Sequence, residues 1–145
     1  MMLGVLFSIL AGVAMSVQGV MNTRLGERVG TMEANALVQC TAGVLSLLAL
    51  LFYHKGSFSA LGSVPKLYWL GGVLGLVITV TVMLGIHALS PTVSISVILL
   101  SQLLSAALID ALGLMESEKV PFDWTKLAGL GLMLGGILLF QWRRS

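Results

Sequence analysis

The sequence predicts an all-α integral membrane protein that crosses the bilayer as five helices. Its 145 residues are 57% hydrophobic and only 10% charged, and the mean hydropathy is +1.02. Soluble domains carry about 25% charged residues, and a soluble fold of this size could not cover so much apolar surface. The length leaves room for one domain, residues 1–145. The net charge of +2 is too small to indicate a nucleic-acid partner.

Five apolar stretches come close to the roughly 20 residues that a helix needs to cross a hydrocarbon core of about 30 Å. They cover approximately residues 3–21, 34–53, 67–89, 92–111 and 127–142. Helices are predicted because unpaired backbone groups are too costly in lipid. No stretch shows the alternation of a barrel strand.

The predicted connections between the spans carry turn-forming and charged residues. The first, Asn22–Glu33, holds two arginines and two glycines, and the second, His54–Lys66, holds two glycines and a proline. Ser90 and Pro91 predict a tight reversal between spans three and four, because proline disfavours helix at the residue before it. The last, Gly113–Lys126, is polar, and no connection has room for a soluble catalytic domain.

The basic residues are evenly divided between the two sides of the membrane. Five spans place the N-terminal side, called side A, opposite side B. Side A receives four lysines and side B four arginines: Lys55, Lys66, Lys119, Lys126; Arg24, Arg28, Arg143, Arg144. Orientation normally follows an excess of Lys and Arg in cytoplasmic connections. Either the placement of the charges still fixes one orientation, or the chain inserts both ways; the balance favours dual topology.

Two amide pairs are the strongest candidates for substrate contact. Gln18 and Asn22 on span one are spaced i,i+4, as are Asn35 and Gln39 on span two, and both pairs lie toward side B. Residues four apart share a helix face. The four amides either line a hydrated cavity or form interhelical hydrogen bonds, and the sequence leaves both interpretations open.

Further polar side chains on spans three and four are secondary candidates for substrate contact. They are Tyr68, Thr79, Ser101, Gln102 and Ser105. Interhelical hydrogen bonds, worth about 0.6 kcal/mol on average in membranes, are the alternative role for such groups.

Two other features concern ions and packing. Asp110, at the side-A end of span four, is a candidate ion or proton site, or it simply reaches water at the helix end. No carboxylate lies at the middle of a predicted span. Gly131 and Gly135 form a GxxxG pattern, and with Gly136 they predict a packing or dimer face.

No constellation for catalysis or metal binding is evident. Cys40 has no second cysteine, His54 and His87 are isolated, and no glycine-rich loop precedes Lys-Ser or Lys-Thr. We therefore expect no enzyme, no metal and no cofactor.

Four segments resemble the YdcZ-like branch of the drug/metabolite transporter superfamily. They are AMSVQGVMNTRLG from Ala14, WLGGVLG from Trp69, SQLLSAALIDALGL from Ser101 and the final LAGLGLMLGGILL. The resemblance covers nearly the whole chain, although Ser101 stands where the family is expected to prefer glycine. It implies half of a ten-helix transporter, in the bacterial inner membrane. Related small multidrug exporters use a glutamate in their first helix; this first span has none, so proton-coupled drug export is not implied.

These observations together predict an antiparallel homodimer of ten helices. Two inverted copies would permit alternating access around a cavity at their interface. We expect transport of a small polar or amphipathic metabolite. A passive channel built from the same dimer and a non-transporting membrane partner protein are the alternatives. The expected partners are a second copy of the chain, the lipid bilayer and a small-molecule substrate.

Overall fold

The protein consists of five long helices joined by short connections, and the computed structural model describes residues 2–142. The helices are α1 (Met2–Val29), α2 (Thr31–Phe52), α3 (Gly71–Leu89), α4 (Pro91–Leu112) and α5 (Trp124–Gln141). Short 3-10 helices occupy Phe58–Ser63, Lys66–Leu70 and Leu114–Glu116. Residues 2–142 contain no strand, and five helices are long and apolar enough to span a membrane, which confirms the predicted all-α membrane class. Arg143 and Arg144, counted in the charge balance, lie outside the described residues.

The connection Asn22–Glu33 predicted between the first two spans is largely helical. Helix α1 continues to Val29, and Gly30 alone separates it from α2. The residues in this stretch sustain the helix: Arg24 Nη1 donates to the Glu27 carboxylate at 2.9 Å, a pair spaced i,i+3 on one face. With 28 residues, α1 is about 42 Å long, so its C-terminal turns extend past a hydrocarbon core of about 30 Å.

The break between α3 and α4 lies where the sequence predicts a connection. Helix α3 ends at Leu89 and Pro91 begins α4. Ser90 has φ of +117°, a non-helical conformation that ends α3. Proline suits the first position of the next helix, because its fixed φ is helical and its missing N–H is not needed there.

The described chain forms two compact units, one within Met1–Pro91 and the other within Thr92–Ser145. The first contains α1, α2 and α3, and the second contains α5 and all of α4 after its first residue. The expectation of a single domain stays a prediction.

In the first unit, α1 packs against both α2 and α3, and the packing is concentrated at one end. The buried residues of this packed end come from the C-terminal third of α1, the start of α2 and the last turns of α3: Gly19, Asn22, Thr23, Ala34, Asn35, Met83, Ile86. Residues 40–70 are exposed throughout. The packed end is the side-B end, where α1 ends and α2 begins.

A glycine allows the close approach of α1 to α3. A Cβ atom on Gly19 would lie 3.0 Å from Ile86 Cδ1 and 3.1 Å from Val82 Cγ1. These distances are shorter than comfortable van der Waals contact between carbons, which begins near 3.5 Å. The missing side chain at Gly19 therefore sets the separation of the two helices.

In the second unit, α4 and α5 do not pack against each other. No Cα atom of α4 lies within 8 Å of a Cα atom of α5 in the part of the unit that the structure describes. The connection folds back on the end of α4 instead, where the Val120 amide donates to the Asp110 carbonyl at 2.9 Å. Neither helix therefore covers the surface of the other.

Helix α5 begins with a side-chain cap. Asp123 Oδ1 accepts hydrogen bonds from the Thr125 hydroxyl at 2.7 Å and from the Lys126 amide at 3.0 Å. These bonds, the Thr125 bond first, lower the pKa of the Asp123 carboxyl below its ordinary value of 3.8. The cap explains why α5 begins at Trp124, three residues before the predicted span.

Gly30 should be the least replaceable position in the link between α1 and α2. Its φ of +102° and ψ of +145° lie in a region that is essentially restricted to glycine, and the Glu33 carboxylate lies over it. We expect Gly30→Ala to lower the free energy of unfolding by about 1–3 kcal/mol. Circular dichroism during SDS titration of the detergent-solubilised protein measures this change.

Gly12→Ala is the matched control, because a Cβ atom at Gly12 meets nothing within 4 Å. Alanine is favoured over glycine inside a helix by up to about 1 kcal/mol, so this variant should be as stable as the parent or more stable. Equal losses in the two variants would contradict the role given to Gly30.

Candidate functional site

The structure brings three of the four predicted amides toward the packed end. Asn22 on α1 is 7% exposed and Asn35 on α2 is 3% exposed, while Gln39, one turn further along α2, is half-buried. Gln18 is exposed on α1. The amide groups of α1 and α2 are therefore found from the centre of the first unit to its buried end.

Gln39 and Thr79 connect α2 to α3. Gln39 Nε2 donates to the Thr79 hydroxyl oxygen at 3.4 Å, and that hydroxyl donates to the Gly75 carbonyl at 2.9 Å. A Cβ atom on Gly75 would lie 3.7 Å from the same Gln39 nitrogen. Two of the candidate residues thus meet directly, in the interhelical bond that the sequence offered as the alternative to a cavity.

Asn35 differs from the other amides because its side-chain oxygen is buried without a partner. Oδ1 is fully enclosed and accepts no hydrogen bond among the described residues. Leaving a buried acceptor unpaired costs about 1–3 kcal/mol. A native group of this kind needs a donor from outside the protomer, such as water, a solute or another chain.

Most hydroxyl side chains in the helices need no outside donor or acceptor. Each donates to the carbonyl four residues earlier in its own helix, at 2.7–3.0 Å: Ser8, Ser16, Thr23, Thr41, Ser46, Thr79, Thr81, Ser96, Ser101. An amide cannot satisfy both its N–H donors and its oxygen in this way, since the helix carbonyls offer acceptors only. The amide side chains are therefore the polar groups that need hydrogen-bond partners outside their own helix.

The secondary candidates do not gather with the amides in the first unit. Tyr68 is 41% exposed within the 3-10 helix Lys66–Leu70, far along the chain from the packed end. The candidates on α4 belong to the second unit, where Ser101, Gln102 and Ser105 are exposed. Only Thr79 among the secondary candidates joins an amide.

Asp110 and the α5 glycines also belong to the second unit. Asp110 is half-buried near the end of α4, and its backbone carbonyl accepts from Val120. Gly131, Gly135 and Gly136 present an open surface, because a Cβ atom on any of them would meet nothing within 4 Å. The glycine surface of α5 is thus not used for packing within the described chain.

Sequence analysis missed a group of charged and polar residues at the packed end. Thr23, Glu27 and His87 line two cavities there, of about 150 and 300 Å³. The i,i+4 spacing of Thr23 and Glu27 could have revealed them, but both residues lie in the predicted connection Asn22–Glu33, outside the spans whose faces were compared. A polar solute at this end would meet an imidazole, a carboxylate and the Arg24 guanidinium that pairs with that carboxylate.

The described residues offer little for a metal or for nucleophilic chemistry. No cluster of three His, Cys, Asp or Glu side chains suited to a metal ion occurs within residues 2–142. Cys40 is a free thiol on the exposed surface of α2. The chemistry available at the packed end is hydrogen bonding by amides, with charged groups at its rim.

The fold defines a multi-pass helical membrane protein with buried amide side chains at its packed end. Residues 3–139 match the family described as "Putative inner membrane exporter, YdcZ", and the chain belongs to that family. The resemblance found in the sequence is thereby confirmed, and membership of an exporter family agrees with the expectation that the chain is not an enzyme. No curated protein and no solved structure matches the chain.

The variants Asn35→Leu and Gln39→Leu should differ in their effect on the free energy of unfolding. Leucine has a similar shape and removes the unpaired acceptor, so Asn35→Leu should leave the free energy of unfolding unchanged or raise it by about 1 kcal/mol. Gln39→Leu removes the bond to Thr79 and should lower it by about 0.6 kcal/mol. SDS titration followed by circular dichroism compares the two. A loss of about 2 kcal/mol in Asn35→Leu would show that its oxygen is paired within the folded protein.

Proposed function

We propose that the protein is a small membrane transporter that moves a small polar or amphipathic metabolite by alternating access. Membership of a family described as inner membrane exporters supports transport. The buried and half-buried amides are the basis for the proposed substrate class and for the location of the site. The protein would act in the bacterial inner membrane, with the bilayer as its solvent.

The unpartnered Asn35 oxygen is the observation that carries this proposal. An enclosed acceptor in a low-dielectric environment is a strong attachment point for a solute N–H or O–H group. Asn22 lies buried in the same packed end and Gln18 is exposed one turn earlier on α1. Amides of this kind recognise donors and acceptors on a neutral or weakly charged solute.

The distribution of acidic residues argues against a bare multivalent cation as the substrate. The sequence has no Asp or Glu between Glu33 and Asp110, so α3 and most of α2 and α4 carry no carboxylate. Hard cations such as Mg²⁺ and Ca²⁺ are usually held by carboxylates. The remaining candidates, Tyr68, Ser101, Gln102 and Ser105, would extend the neutral polar lining in the assembled protein.

We propose that the working unit is an antiparallel homodimer of ten helices. The open glycine surface of α5 and the lack of packing between α4 and α5 leave helix faces available for a second copy. Small residues allow close helix contact in membranes. The equal numbers of basic residues on the two sides suit insertion in both orientations. In two inverted copies, exchange of their conformations would open the site first to one side and then to the other.

Transport should be saturable and should depend on the Asn35 side chain. A thermal-shift panel of polyols, amino alcohols and amides on the purified protein identifies a ligand, which is then loaded into proteoliposomes. We expect counterflow of the labelled ligand, with Asn35→Leu weakening binding about tenfold, as the loss of one good hydrogen bond predicts.

Thr41→Val is the control for this experiment. Thr41 lies exposed on the same helix, and its hydroxyl is already bonded to the Leu37 carbonyl at 2.8 Å, so binding should not change. Flux that never saturates would instead indicate a channel. Neither binding nor flux from the reconstituted protein would leave a non-transporting partner role.

Dual topology predicts that added charge fixes the orientation. A single reporter cysteine in the connection between α2 and α3, in a Cys40→Ala background, should be labelled by a membrane-impermeant maleimide in roughly half of the molecules in intact cells. Adding Gly62→Lys and Ser63→Lys on side A should move nearly all molecules to one orientation. Labelling of the parent from one side only would contradict dual topology, whatever the transport assay shows.

A further inference from the structure

The connection between α2 and α3 forms an open cavity of about 750 Å³, lined by exposed residues and well away from the packed end. It is formed by the last turn of α2 and the 3-10 helix Phe58–Ser63. We call it the connection cavity. Its size is within the range of about 300–1,000 Å³ that is typical of small-molecule sites.

The lining of the connection cavity has two chemically different parts. One wall is apolar and is formed by Leu50, Phe58, Leu61 and Val64. The other part carries Lys55, His54 and the hydroxyls of Ser57 and Ser59, whose oxygens lie 2.7 Å apart. A ligand that fits must therefore combine an apolar body with a polar, hydrogen-bonding head.

The charged side chain of the connection cavity is basic. Lys55 is among the described lining residues, and they include no Asp or Glu. In the sequence, no Asp or Glu occurs between Glu33 and Asp110. The head of the ligand should accordingly be anionic.

Aromatic side chains on both sides of the connection indicate that it lies at the boundary between hydrocarbon and headgroups. Tyr53 and Trp69 are both exposed, and tyrosine and tryptophan are enriched at this depth in membrane proteins.

We propose that the connection cavity binds an anionic phospholipid of the surrounding bilayer. Lys55 attracts the phosphate, one hydroxyl of the hydrogen-bonded Ser57–Ser59 pair donates to a phosphate oxygen, and one acyl chain lies along the apolar wall. A membrane lipid is favoured over a free phosphate because a single lysine holds a small anion weakly in water, whereas the apolar wall adds binding energy only for a chain. This site is independent of the proposed transport and lies on the opposite side of the membrane from the amides.

Native mass spectrometry of the purified protein with defined lipids tests the proposal. Phosphatidylglycerol and phosphatidylcholine with identical acyl chains are titrated in parallel. We expect phosphatidylglycerol to bind more tightly, and Lys55→Gln to weaken its binding about fivefold, the effect of one lysine near an anionic headgroup. Circular dichroism verifies that the variant is folded.

Lys66→Gln is the matched control, because Lys66 belongs to the same connection but does not line the cavity. It should leave the affinity for phosphatidylglycerol unchanged. Leu61→Glu, which places a carboxylate in the apolar wall, should weaken that affinity as well.

Three results would overturn the proposal. They are equal affinity of the parent protein for the two lipids, equal losses in Lys55→Gln and Lys66→Gln, and displacement of phosphatidylglycerol by millimolar inorganic phosphate. The first two would show a general attraction of lipids to the protein, and the third would show a site for free anions.

Discussion

Hydrocarbon cannot form hydrogen bonds, and this constraint governs both the helices and the polar groups they carry. Backbone groups are satisfied within each helix. Serine and threonine hydroxyls are satisfied by carbonyls of their own helix, as Thr23 and Ser101 show. Amide side chains cannot complete their hydrogen bonds within their own helix. They need a partner on another helix or outside the chain. Gln39 bonds to Thr79 on α3, whereas the buried Asn35 oxygen has no hydrogen-bond partner among the described residues.

The sequence was sufficient for those parts of the fold that depend on the same constraint. Long apolar stretches have one solution in lipid, so the five spans and the helix break at Ser90–Pro91 were predictable. The continuation of α1 to Val29 was not, because charged residues beyond the hydrocarbon can be helical or irregular at similar cost. The helix there is stabilised by packing, since Asn22 and Thr23 are buried, and only slightly by the exposed Arg24–Glu27 pair; Gly30 then ends it.

The candidate site was predictable in composition and less so in arrangement. The i,i+4 spacing identified the amides, yet spacing alone could not show that Asn35 is enclosed while Gln18 is exposed. Enclosure depends on which helices approach closely, and that is set by details such as the missing side chain at Gly19. Residues on α4 and α5 illustrate the same limit: their helix faces are evident in the sequence, but the sequence does not show that these two helices leave each other uncovered.

The link between α1 and α2 differs greatly in length from the link that follows α2. Gly30 alone links α1 to α2. Residues 53–70, which include the 3-10 helices Phe58–Ser63 and Lys66–Leu70, separate α2 from α3. A one-residue link has no slack, so α1 and α2 cannot slide along each other and can only change their mutual angle. Any larger rearrangement of the first unit must carry these two helices as one hairpin, with the longer connection absorbing the displacement relative to α3.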